Sequence, residues 1–240
     1  MKFDDIKKLH QKKFREELGA FLIEGEHLVQ ELEKAAAHDE RLRGAEIYRT
    51  HEYGHVRSSL PTHVINARHM AQISETRSPQ GIAAVVPLFG ARAPRAGERA
   101  VYLFEIQDPG NLGTILRTLA WFGGFRCLLS PDSVEPFNAK GVRASMGAIF
   151  HVPIEIDVPG DSLRERFPRI ACLDMKGAAV STPEFAESDC YVFGNEARGL
   201  PRAVIDGLHA RPFTIAGTGA IESLNVAAAV NIALYELNRK

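Results

Sequence analysis

From about residue 98 to the C-terminus, short apolar runs alternate with helical segments, and this alternation constrains the fold more than any other feature. Strands are predicted at 101–106, 126–129, 152–156, 170–173, 191–193 and 212–215. Helical segments fall between them at about 112–122, 139–148, 162–167 and 201–208, with a last helix near 223–237. Repeated strand–helix units with short connections predict an α/β fold with a parallel sheet covered on both faces. Such sheets bind ligands at the carboxyl ends of their strands, so the loops that follow strands are where chemistry is to be sought.

The first part of the chain is different. A stretch rich in Gly, Pro and Arg, 87–99, carries turn formers and no apolar periodicity and reads as a linker. The expected organisation is therefore a small N-terminal α/β domain at 1–88, a linker at 89–97 and a larger domain at 98–240. Phe3, Ile6, Phe14 and Leu18 outline the apolar side of an opening helix, with Lys8, Lys12 and Arg15 at i, i+4 and i+7 on another side. A basic stripe of this kind suits an RNA backbone, and equally a solvated helix face. Strands near 21–23, 45–49 and 82–86 and helices near 26–37 and 61–72 complete a compact sandwich.

Composition narrows the class. No apolar run approaches the roughly 18 residues of a membrane helix, so no membrane partner is expected. Cys127, Cys172 and Cys190 are an odd set without CxxC spacing, which suits reduced thiols and neither a disulfide framework nor a metal site. Residues Met1 to Ile6 are charged and carry no apolar secretory stretch, and the protein is expected to be cytoplasmic. The net charge of −1 argues against indiscriminate binding of polyanions, yet seven of the nine histidines lie before residue 70.

Three loops carry the functional signal. The first, Gln107-Asp108-Pro109-Gly110-Asn111-Leu112-Gly113, leaves a strand and enters a helix, with Asn111 near the cap and Arg117 just under two turns later. Taken alone, these residues fit a simple cap and a surface arginine as well as a site. The second, Gly194-Asn195-Glu196-Ala197-Arg198-Gly199-Leu200-Pro201, is a Gly-bounded turn between strand and helix. No Lys-Ser/Thr follows its second glycine, so it is not a P-loop, and a plain turn leaves Glu196 and Arg198 unaccounted for. The third runs from Ile215 through Gly217-Thr218-Gly219 to Ser223-Leu224-Asn225-Val226. A dinucleotide fingerprint fails here, because Glu222 replaces the third glycine and the loop follows the last strand.

Together, and in this order, the three loops resemble the motifs of the SpoU (TrmH) family of RNA ribose 2′-O-methyltransferases in the SPOUT superfamily. The match covers most of residues 98–240. The resemblance implies a SPOUT domain with a C-terminal trefoil knot, S-adenosylmethionine as cofactor, no metal, and a homodimer with shared active sites. It implies catalytic roles for Arg117, Asn111, Glu196, Ser223 and Asn225, and cofactor contacts from Gly194, Ile215 and Leu224. The ends of the first part, Phe21-Leu22-Ile23-Glu24-Gly25 and Ser78-Pro79-Gln80-Gly81-Ile82, look like those of the family's substrate-binding domain. In that context Lys8, Lys12 and Arg15 become expected RNA contacts, with ribosomal RNA favoured over transfer RNA. The rival expectation is a non-catalytic RNA-binding or ribosome-assembly protein on the same fold.

Overall fold

The computed structural model describes residues 1–76 and 78–239. By their contacts these form two units, one of Met1–Phe89 with Glu135–His151, the other of Gly90–Val134 with the residues from Val152 onward.

In the first unit, β1 (Ala20–Glu24), β2 (Glu46–Arg49), β3 (Thr62–Val64) and β4 (Ile82–Pro87) form a sheet ordered β1-β4-β2-β3. Only the β2–β3 pair is parallel. β1 and β4 are unbroken apolar runs, and both are buried along nearly their whole length. The helix Glu26–Ala36 covers the sheet with Leu28, Val29, Leu32, Ala35 and Ala36, the spacing of one helical face. The segment Glu135–His151 belongs here as well. Its Phe137 ring sits between Phe21 and Phe89, at centroid distances of 4.9 and 5.4 Å.

Two expectations for this unit are corrected. The helix expected at 61–72 is the short strand β3 followed by a helix at Ala67–Ile73, capped by the Asn66 side chain. The opening helix is not continuous. Phe3–Ile6 passes into a 3-10 turn at Lys7–His10, Gln11 is extended, and a new helix runs from Lys12 to Leu18. The break resets the helical phase, so Arg15 turns inward and is only 4% exposed. Its Nε donates to Glu135 Oε1 at 3.0 Å, its Nη1 to the Leu9 carbonyl at 2.7 Å, and its Nη2 to the other Glu135 oxygen. Arg15 is thus no member of an exposed stripe. Its charge is spent inside the unit.

The second unit is built on six strands: β5 (Arg99–Leu103), β6 (Phe125–Leu129), β7 (Ile154–Glu155), β8 (Ile170–Ala179), β9 (Cys190–Phe193) and β10 (Arg211–Thr214). Their order is β10-β8-β9-β5-β6-β7, and every pair is parallel. β6 and β9 are buried throughout, as expected for central strands with both faces covered. From β5 the chain moves outward through β6 to β7, then crosses to the other side for β8, β9 and β10. The order therefore reverses between β5 and β9, the position where open parallel sheets leave a crevice. β8 and β10 approach so closely that a Cβ on Gly177 would lie 2.4 Å from the Pro212 carbonyl oxygen. The helices Pro109–Phe122 and Val226–Asn238 pack against each other, and the Thr118 hydroxyl bonds the Asn231 side chain between them.

Candidate active site

Because all six strands run the same way, the loops after β5, β9 and β10 emerge at one end of the sheet. β5 and β9 are neighbours, so the first two loops lie side by side. β10 is separated from β9 by β8, and the third loop must travel back across that gap. It does so through residues 215–225 and arrives at Asn225, whose side-chain oxygen caps the final helix at the Ala227 and Ala228 N–H groups, 2.9 and 3.2 Å away.

The three loops join through side chains. Asn225 Nδ2 donates to Asn111 Oδ1 at 2.9 Å, and Asn111 Nδ2 donates to Glu196 Oε1 at 3.2 Å. Glu196 also accepts the backbone N–H of Gln107, at 3.2 and 3.1 Å to its two oxygens, and that of Asp108 at 3.0 Å. Partial burial works against the Glu196 charge, but the N–H donors of Asp108 and Gln107 and the Asn111 amide outweigh it. Its pKa lies below the ordinary carboxylate value, so the group is an anion at neutral pH. Asp108 caps the helix that carries Asn111, accepting the Asn111 N–H at 3.1 Å.

Asn195 shapes the second loop and was not singled out by the sequence reading. It is buried, and its amide donates to the Glu105 carbonyl at 2.7 Å. Its oxygen accepts the N–H groups of Ala197 and Arg198 at 3.0 and 3.1 Å. Backbone bonds in both directions between Asn195 and Gly199 close the turn. Gly194 lies under that closure, where a Cβ would stand 2.3 Å from the Gly199 carbonyl carbon. The sequence signal for Asn195 is a side chain able to bond its own following backbone, inside the turn bounded by Gly194 and Gly199.

The remaining expected residues are placed as follows. Arg117, on the helix Pro109–Phe122, is exposed, and no described residue hydrogen-bonds or ion-pairs with it. Ser223 is exposed beside Asn225, and Leu224 is 46% exposed. Ile215 is half-buried just after β10. Among the described residues, no backbone hydrogen bond involves residues 216–224 apart from Ala220 N–H to Thr218 Oγ1 at 3.4 Å. Donors and acceptors along that run, flanked by Ile215 and Leu224, fit a ligand with an apolar ring and several polar edges. Lys8 and Lys12 are exposed, with Nζ 2.8 Å from Asp5 and 3.7 Å from Glu16.

Comparison with known proteins identifies the family. The model of the SpoU rRNA methylase family matches residues 98–235, and that of the MRM3-like substrate binding domain matches residues 2–84. The chain is 32% identical to the 23S rRNA (guanosine(2553)-2′-O)-methyltransferase RlmP of Bacillus subtilis, over 98% of this chain and 95% of that protein. It is 30% identical to the mouse mitochondrial rRNA methyltransferase 3, over 65% of this chain and 39% of that one. Among solved structures, the AdoMet-bound rRNA methyltransferase of Sinorhizobium meliloti superposes with a TM-score of 0.83 at 27% identity, covering 99% of this chain and 94% of the other.

Proposed function

The chain belongs to the SpoU rRNA methylase family, and from that premise we propose that it transfers a methyl group from S-adenosylmethionine to a ribose 2′-hydroxyl of ribosomal RNA. The observation that carries the reading is the single bonded chain Asn225–Asn111–Glu196, which joins three loops, with Arg117 exposed and without a described partner on the helix that Asn111 begins.

S-adenosylmethionine supplies a methyl on a sulfonium, whose leaving thioether is neutral. The free backbone groups of 216–224, with Ile215, Leu224 and the backbone at Gly194, are the residues that would hold it. The chemical difficulty lies with the nucleophile, a weakly acidic hydroxyl that must shed its proton as it attacks. A guanidinium is almost never neutral in a protein, so Arg117 acts as a cation. It binds the adjacent phosphate and stabilises developing alkoxide charge while the proton passes to phosphate or water. Glu196 acts as an anion and holds Asn111 in place, and Asn111 in turn orients Asn225. Asn111 keeps one amide hydrogen, and Ser223 its hydroxyl, for the ribose or the cofactor.

The first unit then serves as the RNA-recognition part, with Lys8 and Lys12 among its phosphate contacts. The family also implies a homodimer. Trp121 is 85% exposed on the helix Pro109–Phe122, and Tyr235 and Ile232, one helical turn apart on the helix Val226–Asn238, are 59% and 40% exposed. Large apolar side chains left exposed on two helices that pack together suit an interface with a second copy of the chain. A C-terminal trefoil knot is likewise what the family implies for the segment beyond β9.

The test is single-turnover methylation of unmodified ribosomal RNA, followed by mapping of ribose methyls. One new 2′-O-methyl at a defined nucleotide is expected. Tight cofactor binding with no methyl transferred to any ribosomal RNA would overturn the proposal and favour a binding protein.

A further inference from the structure

Glu105 stands out at the carboxyl end of β5. Its φ of +49° is left-handed, a conformation that L residues with a Cβ adopt at a cost and that glycine adopts freely. The backbone duties of this position need no particular side chain. Its N–H bonds Ser130 Oγ at 2.7 Å, and its carbonyl accepts from Asn195 Nδ2 at 2.7 Å and Gln107 Nε2 at 3.1 Å. A glycine would do all of this without strain. What the glutamate adds is a carboxylate, and that carboxylate reaches Arg198, with Nη2 2.5 Å from Oε2. Arg198 lies in the second loop, two residues after Glu196, with its side chain 70% exposed.

An exposed ion pair contributes little to stability, which makes it a poor return on a strained backbone. Its geometry has another use. The pair engages Nη2 of Arg198, and no other described group bonds Nη1 or Nε. Nη2 carries two hydrogens, so one of the two forks that share it, with Nε or with Nη1, stays open to two phosphate oxygens while Glu105 anchors the guanidinium beside the second loop. Anchoring a long side chain in advance lowers the ordering cost that binding would otherwise incur.

We propose that Arg198 is a phosphate ligand for the substrate RNA and that Glu105 is the positioning residue that aims it. This rests on the proposed RNA methyltransferase function and adds a backbone contact distinct from Arg117. Glu105 touches neither substrate nor cofactor.

The test uses the full-length protein with in vitro transcribed large-subunit ribosomal RNA, following RNA affinity against salt concentration together with the KM for RNA. Arg198→Ala should weaken RNA binding roughly tenfold and flatten the slope of log affinity against log salt by about 0.7–0.9, the signature of one lost phosphate contact. Arg198→Lys should restore the slope but only part of the affinity, because an ammonium lacks the fork. Glu105→Gly removes the carboxylate and relieves the strained φ. It should melt no lower than wild type yet raise the KM for RNA about two- to fivefold, the range that a single exposed ion pair can supply. Cofactor affinity, read by calorimetry, should stay within about twofold in all three. An unchanged salt slope in Arg198→Ala overturns the inference. So does a loss of cofactor affinity that accounts for the whole effect, since that marks a purely structural pair. The affinity and salt slope of the Arg198 variants are read without turnover, so a wild-type protein that transfers no methyl refutes the proposed function and leaves those results interpretable.

Discussion

Replacing Gly194 with alanine tests whether the second loop's closure positions the site. The added Cβ would meet the Gly199 carbonyl carbon at 2.3 Å, Leu200 N at 2.5 Å and the Gly199 oxygen at 2.7 Å, all backbone atoms. Ordinary carbon contacts begin at about 3.5 Å, so the Gly199–Leu200 peptide must retreat by roughly 1 Å. That movement breaks the paired bonds between Asn195 and Gly199, now 3.1 and 2.9 Å, and drags Glu196 off Asn111. Overpacking of this kind costs about 1–3 kcal/mol, and each broken bond adds about 1 kcal/mol. With the two paired bonds lost the total is about 3–5 kcal/mol, so for a chain of this length the melting temperature should fall by roughly 6–20 °C. Methyl transfer should fall about a hundredfold, the usual consequence of a 1 Å misplacement in a site. Gly199→Ala is the control: at its φ of +63° no atom lies within 4 Å, so it carries backbone strain without a clash. Calorimetry of cofactor binding and a single-turnover assay separate the two variants. If Gly194→Ala binds cofactor and transfers methyl like wild type, the closure does not position the site.

Four further outcomes follow from particular groups. Arg117→Ala should keep cofactor binding and lose several orders of magnitude in methyl transfer, and Arg117→Lys should rescue poorly because it lacks the planar fork; near wild-type turnover in either would remove Arg117 from the mechanism. Glu196 has a depressed folded pKa, so its stabilisation is complete above the unfolded value near about 4.3 and is lost as pH falls through the folded one. Chemical denaturation should therefore show wild type more stable than Glu196→Gln at neutral pH, with the gap closing in acid; a gap that widens in acid would contradict the assignment. Arg15→Ala strands Glu135 and the Leu9 carbonyl and should cost about 3–5 kcal/mol in denaturant titrations, with no change in the salt slope of RNA binding. Trp121→Glu puts a charge in place of an aromatic ring that is 85% exposed and should convert a sedimenting dimer to monomer with loss of methyl transfer, whereas an unaltered dimer would place the interface elsewhere.

The sequence displayed the second unit's architecture because each central strand is buried on both sides and so reads as an unbroken apolar run. Val101-Tyr102-Leu103, Cys127-Leu128-Leu129 and Tyr191-Val192-Phe193 all fall where expected. The three loops were legible for a related reason: Pro109, Asn111, the Gly194–Gly199 turn and the cap Asn225 act within a few residues of themselves. What joins them was not legible. Asn225 meets Asn111 across 114 positions, Glu196 meets Asn111 across 85, and Arg198 meets Glu105 across 93. No local pattern announces such pairs, and Glu105 in particular sits where only the backbone angle marks it as unusual.

Periodicity misled where it assumed continuity. Lys8, Lys12 and Arg15 share a face only if one helix runs from residue 3 to 18, and the extended Gln11 breaks that assumption. Arg15 then finds Glu135, 120 positions away, in a segment that sequence order attaches to the second part. The same segment brings Phe137 to Phe21 and Phe89, and its Val142, Ala148, Ile149 and Phe150 are buried. A cut in the Gly/Pro/Arg stretch near residue 90, which composition recommends, would therefore leave Glu135–His151 in the C-terminal fragment without the unit it packs into. Such a fragment would expose those apolar side chains and an unpaired buried carboxylate, and its failure to bind RNA would say little about recognition. The contribution of the first unit is better measured by point substitution at exposed positions such as Lys8 and Lys12. There a change in salt slope reports a lost phosphate contact while the fold stays intact.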